Sequence, residues 1–137
     1  LGFKWQNIYA VDLLSYSNLI SLGDIHKSEY EDNSFDVIIC GWVLSYSNNY
    51  QKILDEIFRI CKDKGVISIG FTYIPENKDT VRKFESRDNI IDSTNQIIER
   101  YKKFIENIYF NFDTKTLYPN EKRHSIVVLR INKNKNA

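Results

Sequence analysis

The sequence contains no methionine, and it has only two cysteines, two prolines and five glycines in 137 residues. Cys40 and Cys61 both lie in apolar surroundings, which excludes a disulfide-stapled scaffold and suits a reducing compartment. An excess of charge of either sign is missing too. Nineteen Lys and Arg residues against 18 Asp and Glu leave a formal charge of +1, which excludes the overall basic field that drives non-specific nucleic-acid binding. No apolar run approaches the roughly 20 residues of a membrane-spanning helix. No basic, apolar and small-residue signal segment opens the chain. The expectation is a soluble cytoplasmic domain with neither nucleic acid nor membrane as partner.

Hydrophobic residues make up 42 % of the chain and aromatics 14 %, enough for a core in one domain. That domain is expected over residues 1–131, with a disordered low-complexity tail over 132–137. A chain that opens on Leu1 and lacks Met also reads as part of a longer domain.

Short apolar runs alternate with helical patterns, the signature of an α/β fold with a mostly parallel sheet. Ile8 to Val11, Leu19 to Leu22, Phe35 to Cys40 and Val66 to Phe71 are strand candidates, the first read as a buried parallel strand. Ile108, Phe110 and Phe112 alternate with Tyr109 and Asn111, and Ile126 to Ile131 closes the fold. About a dozen polar residues with no helical stripe join these last two runs. They are therefore expected to pair, with one antiparallel to the other strands of a single mixed sheet.

Ile53, Leu54, Ile57, Ile60 and Cys61 form one apolar stripe at helical period, capped by Asn48 or Asn49 and stopped by Gly65 as the left-handed residue. Ser93 with Gln96 predicts a capping box. The second helix then presents Ile97, Ile98, Tyr101, Phe104, Ile105 and Ile108. The polar stretch from Pro75 to Asp92 is a loop or lid candidate, with a turn of helix around Val81 to Phe84.

Asp12 ends the first strand run, at the edge where open α/β sheets take ligands, and its carboxylate suits the two hydroxyls of a ribose. A turn or capping role would equally suit an aspartate there. Gly23-Asp24-Ile25-His26 follows the second run, and Glu31-Asp32-Asn33-Ser34-Phe35-Asp36 leads the third. With Val43-Leu44, Glu56-Ile57-Phe58-Arg59-Ile60 and Lys62-Asp63-Lys64-Gly65-Val66 in this order, the stretch from Ile8 to Thr72 resembles the class I S-adenosylmethionine-dependent methyltransferases, in particular the type 11 group.

The resemblance implies a Rossmann-like fold, S-adenosylmethionine as cofactor and a small-molecule substrate. It implies that Asp12 holds the ribose, Asp24 faces the adenine amine and the Ile25 N–H meets a ring nitrogen. Cys40, Gly41 and Trp42 would lie beside the methionine end. The implied reaction is methyl transfer to an oxygen or nitrogen of a small molecule or sugar.

The chain departs from this family in three places. No glycine-rich loop precedes Ile8, so the chain is expected to correspond to the C-terminal portion of the fold and to bind the cofactor weakly alone. Six residues between Asp12 and Leu19 are too few for a crossover helix and imply a loop or single turn. Ser45-Tyr46 stands where many relatives carry Glu-His, which leaves the catalytic group unassigned. His26 is weighed as a proton acceptor against an ordinary loop residue, and His124 is read as structural. No Cys/His spacing suggests zinc, and no Ser-His-Asp grouping can be picked out. The competing readings are a non-catalytic α/β binding or interaction module and a dinucleotide-binding fold. Gly23-Asp24-Ile25 argues against the latter.

Overall fold

The computed structural model describes residues 2–75 and 89–135. Two parallel strands, β1 (Ala10–Asp12) and β2 (Ile20–Leu22), pair in register Ala10 to Ile20 and Asp12 to Leu22. A second sheet has the order β3-β4-β6-β5, built from β3 (Phe35–Gly41), β4 (Cys61–Tyr73), β5 (Ile105–Phe112) and β6 (Arg123–Ile131). Strands β3 and β4 are parallel, and β6 is antiparallel to both β4 and β5. The last two strands therefore pair as expected, and β6 alone runs against the others of its sheet.

The expected single sheet is instead two. Strand β1 pairs only with β2, β3 pairs only with β4, and no strand among the described residues bridges them. The expected burial of the first strand fails for the same reason. Among the described residues no helix covers β1 and β2, and Val11 and Leu22 are 39 % and 71 % exposed. Residues 13–19 form the expected loop, in which the Ser15 hydroxyl reaches the Ile20 carbonyl at 2.7 Å.

Two helices lie against the four-stranded sheet, α1 (Tyr50–Ile60) and α2 (Thr94–Tyr101). Asn49 caps α1 through the Lys52 N–H, and the Ser93/Gln96 capping box opens α2. Ile53, Leu54 and Ile57 of α1 and Ile97 and Tyr101 of α2 pack on Ile67, Ile69 and Phe71 of β4 and on Val127, Leu129 and Ile131 of β6. Helix α2 is shorter than the apolar stripe implies. The helix ends at Tyr101, so Ile105 opens β5 and Ile108 is exposed on that strand.

At the α1 exit the left-handed residue is Lys64, with φ 64°, and not Gly65. Glycine is required at 65 by crowding. A Cβ there would lie 2.6 Å from Cys61 Sγ and 2.9 Å from the Lys62 carbonyl. The tail over 132–135 is anchored where fraying was expected. The Lys133 N–H donates to Asp63 at 2.7 Å, its ammonium reaches Asn33 at 2.7 Å, and the Asn134 amide meets Asp63 at 3.0 Å. Residues 136–137 and the turn read around Val81 to Phe84 lie outside the described residues.

Candidate functional site

The motif residues divide into those that hold the scaffold and those that face solvent. Glu56 is buried on α1, and its carboxylate accepts from Arg59 and from the N–H and hydroxyl of Ser28. The Arg59 contact, followed by those from Ser28, outweighs burial and holds its pKa down at about 2. Arg59 also grips Asp32 at 2.6 Å and the Tyr30 carbonyl at 2.7 Å. Asn33, at φ 56°, and Ser34 donate their N–H groups to the last carbonyls of the helix region, those of Arg59 and Ile60. The Glu-x-x-Arg and Asp-Asn-Ser segments thus clamp the β2–β3 loop to α1.

Asp12 and Asp24 stay outside this clamp. Asp12 ends β1, and its Oδ1 accepts the Leu14 N–H at 3.2 Å. Asp24 lies two residues beyond β2 with its side chain 56 % exposed. Its Oδ1 takes the His26 backbone N–H at 2.8 Å and His26 Nδ1 at 2.6 Å. Those two bonds lower the Asp24 pKa. Both carboxylates keep Oδ2 without a described hydrogen-bond partner, so both can accept from a hydroxyl or an amine. Ile25 is partly buried against the core, which gives that end an apolar floor.

His26 Nε2 meets Ser47 Oγ at 2.6 Å. An Asp24–His26–Ser47 chain is therefore present, although the residue spacing gave no hint of it. Ser47 sits in a Ser-Asn-Asn run that reads as a helix cap, and only the fold carries it to His26. Both imidazole nitrogens are occupied, so His26 has no free nitrogen for a substrate proton. The same contact joins the segment after β2 to the segment after β3. The C-terminal ends of those strands thus share one edge.

At the end of β3, the three expected residues separate. The Cys40 thiol is buried on the helix-covered face, and burial raises its pKa to about 12. Only its backbone is available to a ligand. Gly41 is exposed, with open space where a Cβ would project. Trp42 takes φ 61°, a strained value for a bulky residue, and its ring lies over Gly70, where a Cβ would approach it to 3.4 Å. The indole N–H donates to His124 Nδ1 at 3.2 Å, and Thr72 Oγ1 meets the same nitrogen at 2.8 Å. An indole nitrogen only donates, so neutral His124 carries its proton on Nε2.

Beside this edge Leu44–Ser45, Tyr73–Ile74 and Asn89–Ile91 line a shallow surface dent with no room for a ligand inside it. Tyr73 is held there under the Arg123 guanidinium, 3.8 Å above its ring, while Tyr46 is 75 % exposed. Among the described residues no group of three His, Cys, Asp or Glu side chains converges to hold a metal. No helix among them is long and apolar enough to cross a membrane.

Residues 6–69 match the family model described as a methyltransferase domain. No curated protein sequence matches the chain. Among solved structures it is similar to the [4+2]-cyclase SpnF, at 14 % identity and TM-score 0.56 over 82 % of this chain and 55 % of that one. It is similar to trans-methyltransferase CalH in complex with SAH, at 14 % identity and TM-score 0.58 over 84 % of this chain and 37 % of CalH. A third is the geranyl diphosphate C-methyltransferase from Streptomyces coelicolor A3(2), at 8 % identity and TM-score 0.56 over 82 % of this chain and 52 % of that one. The chain thus spans between about a third and just over half the length of these three structures.

Proposed function

We propose that this chain is a member of the class I S-adenosylmethionine-dependent methyltransferases, a reading supported by its domain match and its fold, and that it takes part in methyl transfer to an oxygen or nitrogen of a small-molecule acceptor. One observation carries the reading. Two exposed carboxylates, each with an oxygen that has no described partner, stand at or just past the C-terminal ends of adjacent parallel strands, the edge at which α/β sheets take nucleotides. Asp12 would accept from the ribose hydroxyls and Asp24 from the adenine amine. Ile25 would add an apolar contact, and the backbone from Cys40 to Trp42 would border the methionine end.

The cofactor supplies an electrophilic methyl group on a sulfonium. The chain's own part is to bind and orient it. His26 and His124 are both tied into the scaffold, which supports catalysis by alignment over catalysis by a histidine base.

S-adenosylhomocysteine titrated against isotope-labelled protein tests this. Saturable shifts confined to Asp12–Leu14, Asp24–His26 and Gly41–Trp42 are expected, with weak affinity on the order of millimolar. Absence of shifts at these residues overturns the reading. A non-catalytic binding module is the second reading, favoured by the bare faces of β1 and β2. Binding with no transfer of labelled methyl to any acceptor selects it.

A further inference from the structure

Asp24, His26 and Ser47 are arranged like a hydrolase triad, yet they are unsuited to that chemistry. Ser47 is 5 % exposed, and its Oγ already accepts the Asn49 N–H at 2.9 Å. A substrate carbonyl has no route to that hydroxyl. The arrangement has a different consequence, which lies in what it does to Asp24.

Nδ1 faces a carboxylate and so carries the proton. In neutral His26, Nε2 is then a lone-pair acceptor for the Ser47 hydroxyl. The order Ser47 O–H to Nε2, then Nδ1–H to Oδ1, satisfies every member. The ring and the His26 backbone N–H both load the same oxygen, Oδ1. Oδ2 has no described partner. The far end of the chain is fixed, because Ser47 adjoins the Asn49 cap of α1 and so moves with the core. A short surface side chain, already bonded through Oδ1 to the His26 backbone N–H, is therefore also tied in that orientation to a buried anchor.

We propose that His26 and Ser47 are positioning residues that saturate one oxygen of Asp24 and present the other to the exocyclic amine of a 6-aminopurine, making this edge selective for adenine over a 6-oxopurine. The inference rests on the reading of Asp24 as the purine contact. It adds the residues that set the selectivity. A carbonyl at position 6 would place an acceptor against the acceptor Oδ2, which is the physical basis of the discrimination.

The test uses the whole chain, S-adenosylhomocysteine and its 6-oxo analogue S-inosylhomocysteine, and the variants His26→Phe, His26→Asn and Ser47→Ala. Long-range proton–nitrogen spectra should find His26 as the Nδ1–H tautomer, the minor form of an unconstrained neutral histidine side chain. The Asp24 carboxylate should titrate at higher pH in His26→Phe than in the wild type.

The wild type should prefer the amino ligand by about tenfold, a preference that falls to near equality in His26→Phe. His26→Asn, whose amide can still donate to Oδ1, should keep most of it, and Ser47→Ala should fall between. An Nε2–H tautomer, or an Asp24 titration that His26→Phe leaves unmoved, overturns the relay whatever the ligands do. Failure of the wild type to bind either ligand, or to tell them apart, removes the purine reading of Asp24 and this inference with it. Undiminished selectivity in folded His26→Phe and Ser47→Ala overturns the inference alone.

Discussion

Strands β2 and β4 both carry large apolar side chains, but these meet opposite fates. Ile67, Ile69 and Phe71 of β4 lie under two helices and are fully buried, whereas Leu22 of β2 and Leu19 just before it are about 70 % exposed. Both runs carry β-forming side chains, so composition alone does not separate them. The difference lies in the connections. The segments around β4 contain α1 and α2, whose apolar stripes cover one face of the sheet. The connection between β1 and β2 is a serine-rich loop that covers nothing. Hydrophobic stabilisation follows the partner as much as the residue.

Paired truncations should sharpen this contrast most. Ile57→Ala removes a fully buried side chain of α1 and should cost about 2–5 kcal/mol in urea unfolding. Leu22→Ala, on the exposed strand, should stay within about 0.5 kcal/mol. Equal costs for the two would mean that β2 is covered in solution.

The clamp between the two regions should give the next largest effect, and it depends on pH. Glu56 titrates at about 2 when folded against an ordinary 4.5, so it binds its proton more weakly in the folded chain. Its stabilisation is fully present above pH 4.5 and is lost as pH falls towards 2. The loss should be on the order of 2–3 kcal/mol. Glu56→Gln should lower stability at neutral pH and flatten that acid limb. Melting temperatures recorded across the range for both proteins check the sign.

Asp12→Ala and Asp24→Ala should have the smallest effect on stability, within about 0.5 kcal/mol, because both carboxylates face solvent. Each should nevertheless weaken S-adenosylhomocysteine binding by roughly tenfold. Unfolding curves beside binding isotherms separate the two quantities. Collapse of the fold with unchanged affinity would make these aspartates turn residues.

The α1 stripe and both helix caps were legible because they depend on neighbours within one or two turns. Ile53, Leu54 and Ile57 repeat at helical period, and Ser93 lies three residues from Gln96. The motifs were legible as a pattern but not as roles. Glu56, Arg59 and Asp32 pointed to a family, and the structure makes them a clamp between α1 and the loop before β3. At the α1 exit, glycine reads as the left-handed stop. The chain puts that conformation on Lys64 because Gly65 is needed where Cys61 Sγ leaves no room for a Cβ.

By itself the sequence determined the order of strands and helices, the pairing of the two C-terminal strands and the two aspartates at strand ends. Each follows from local periodicity, capping or connection length. Only the tertiary structure decided that β1 and β2 stay bare, that the Cys40 thiol turns into the core, and that Ser47 reaches His26 across 21 residues of chain. Those outcomes depend on which segments meet in space. A contact between a loop and a helix cap leaves no period, composition or spacing for a sequence to display.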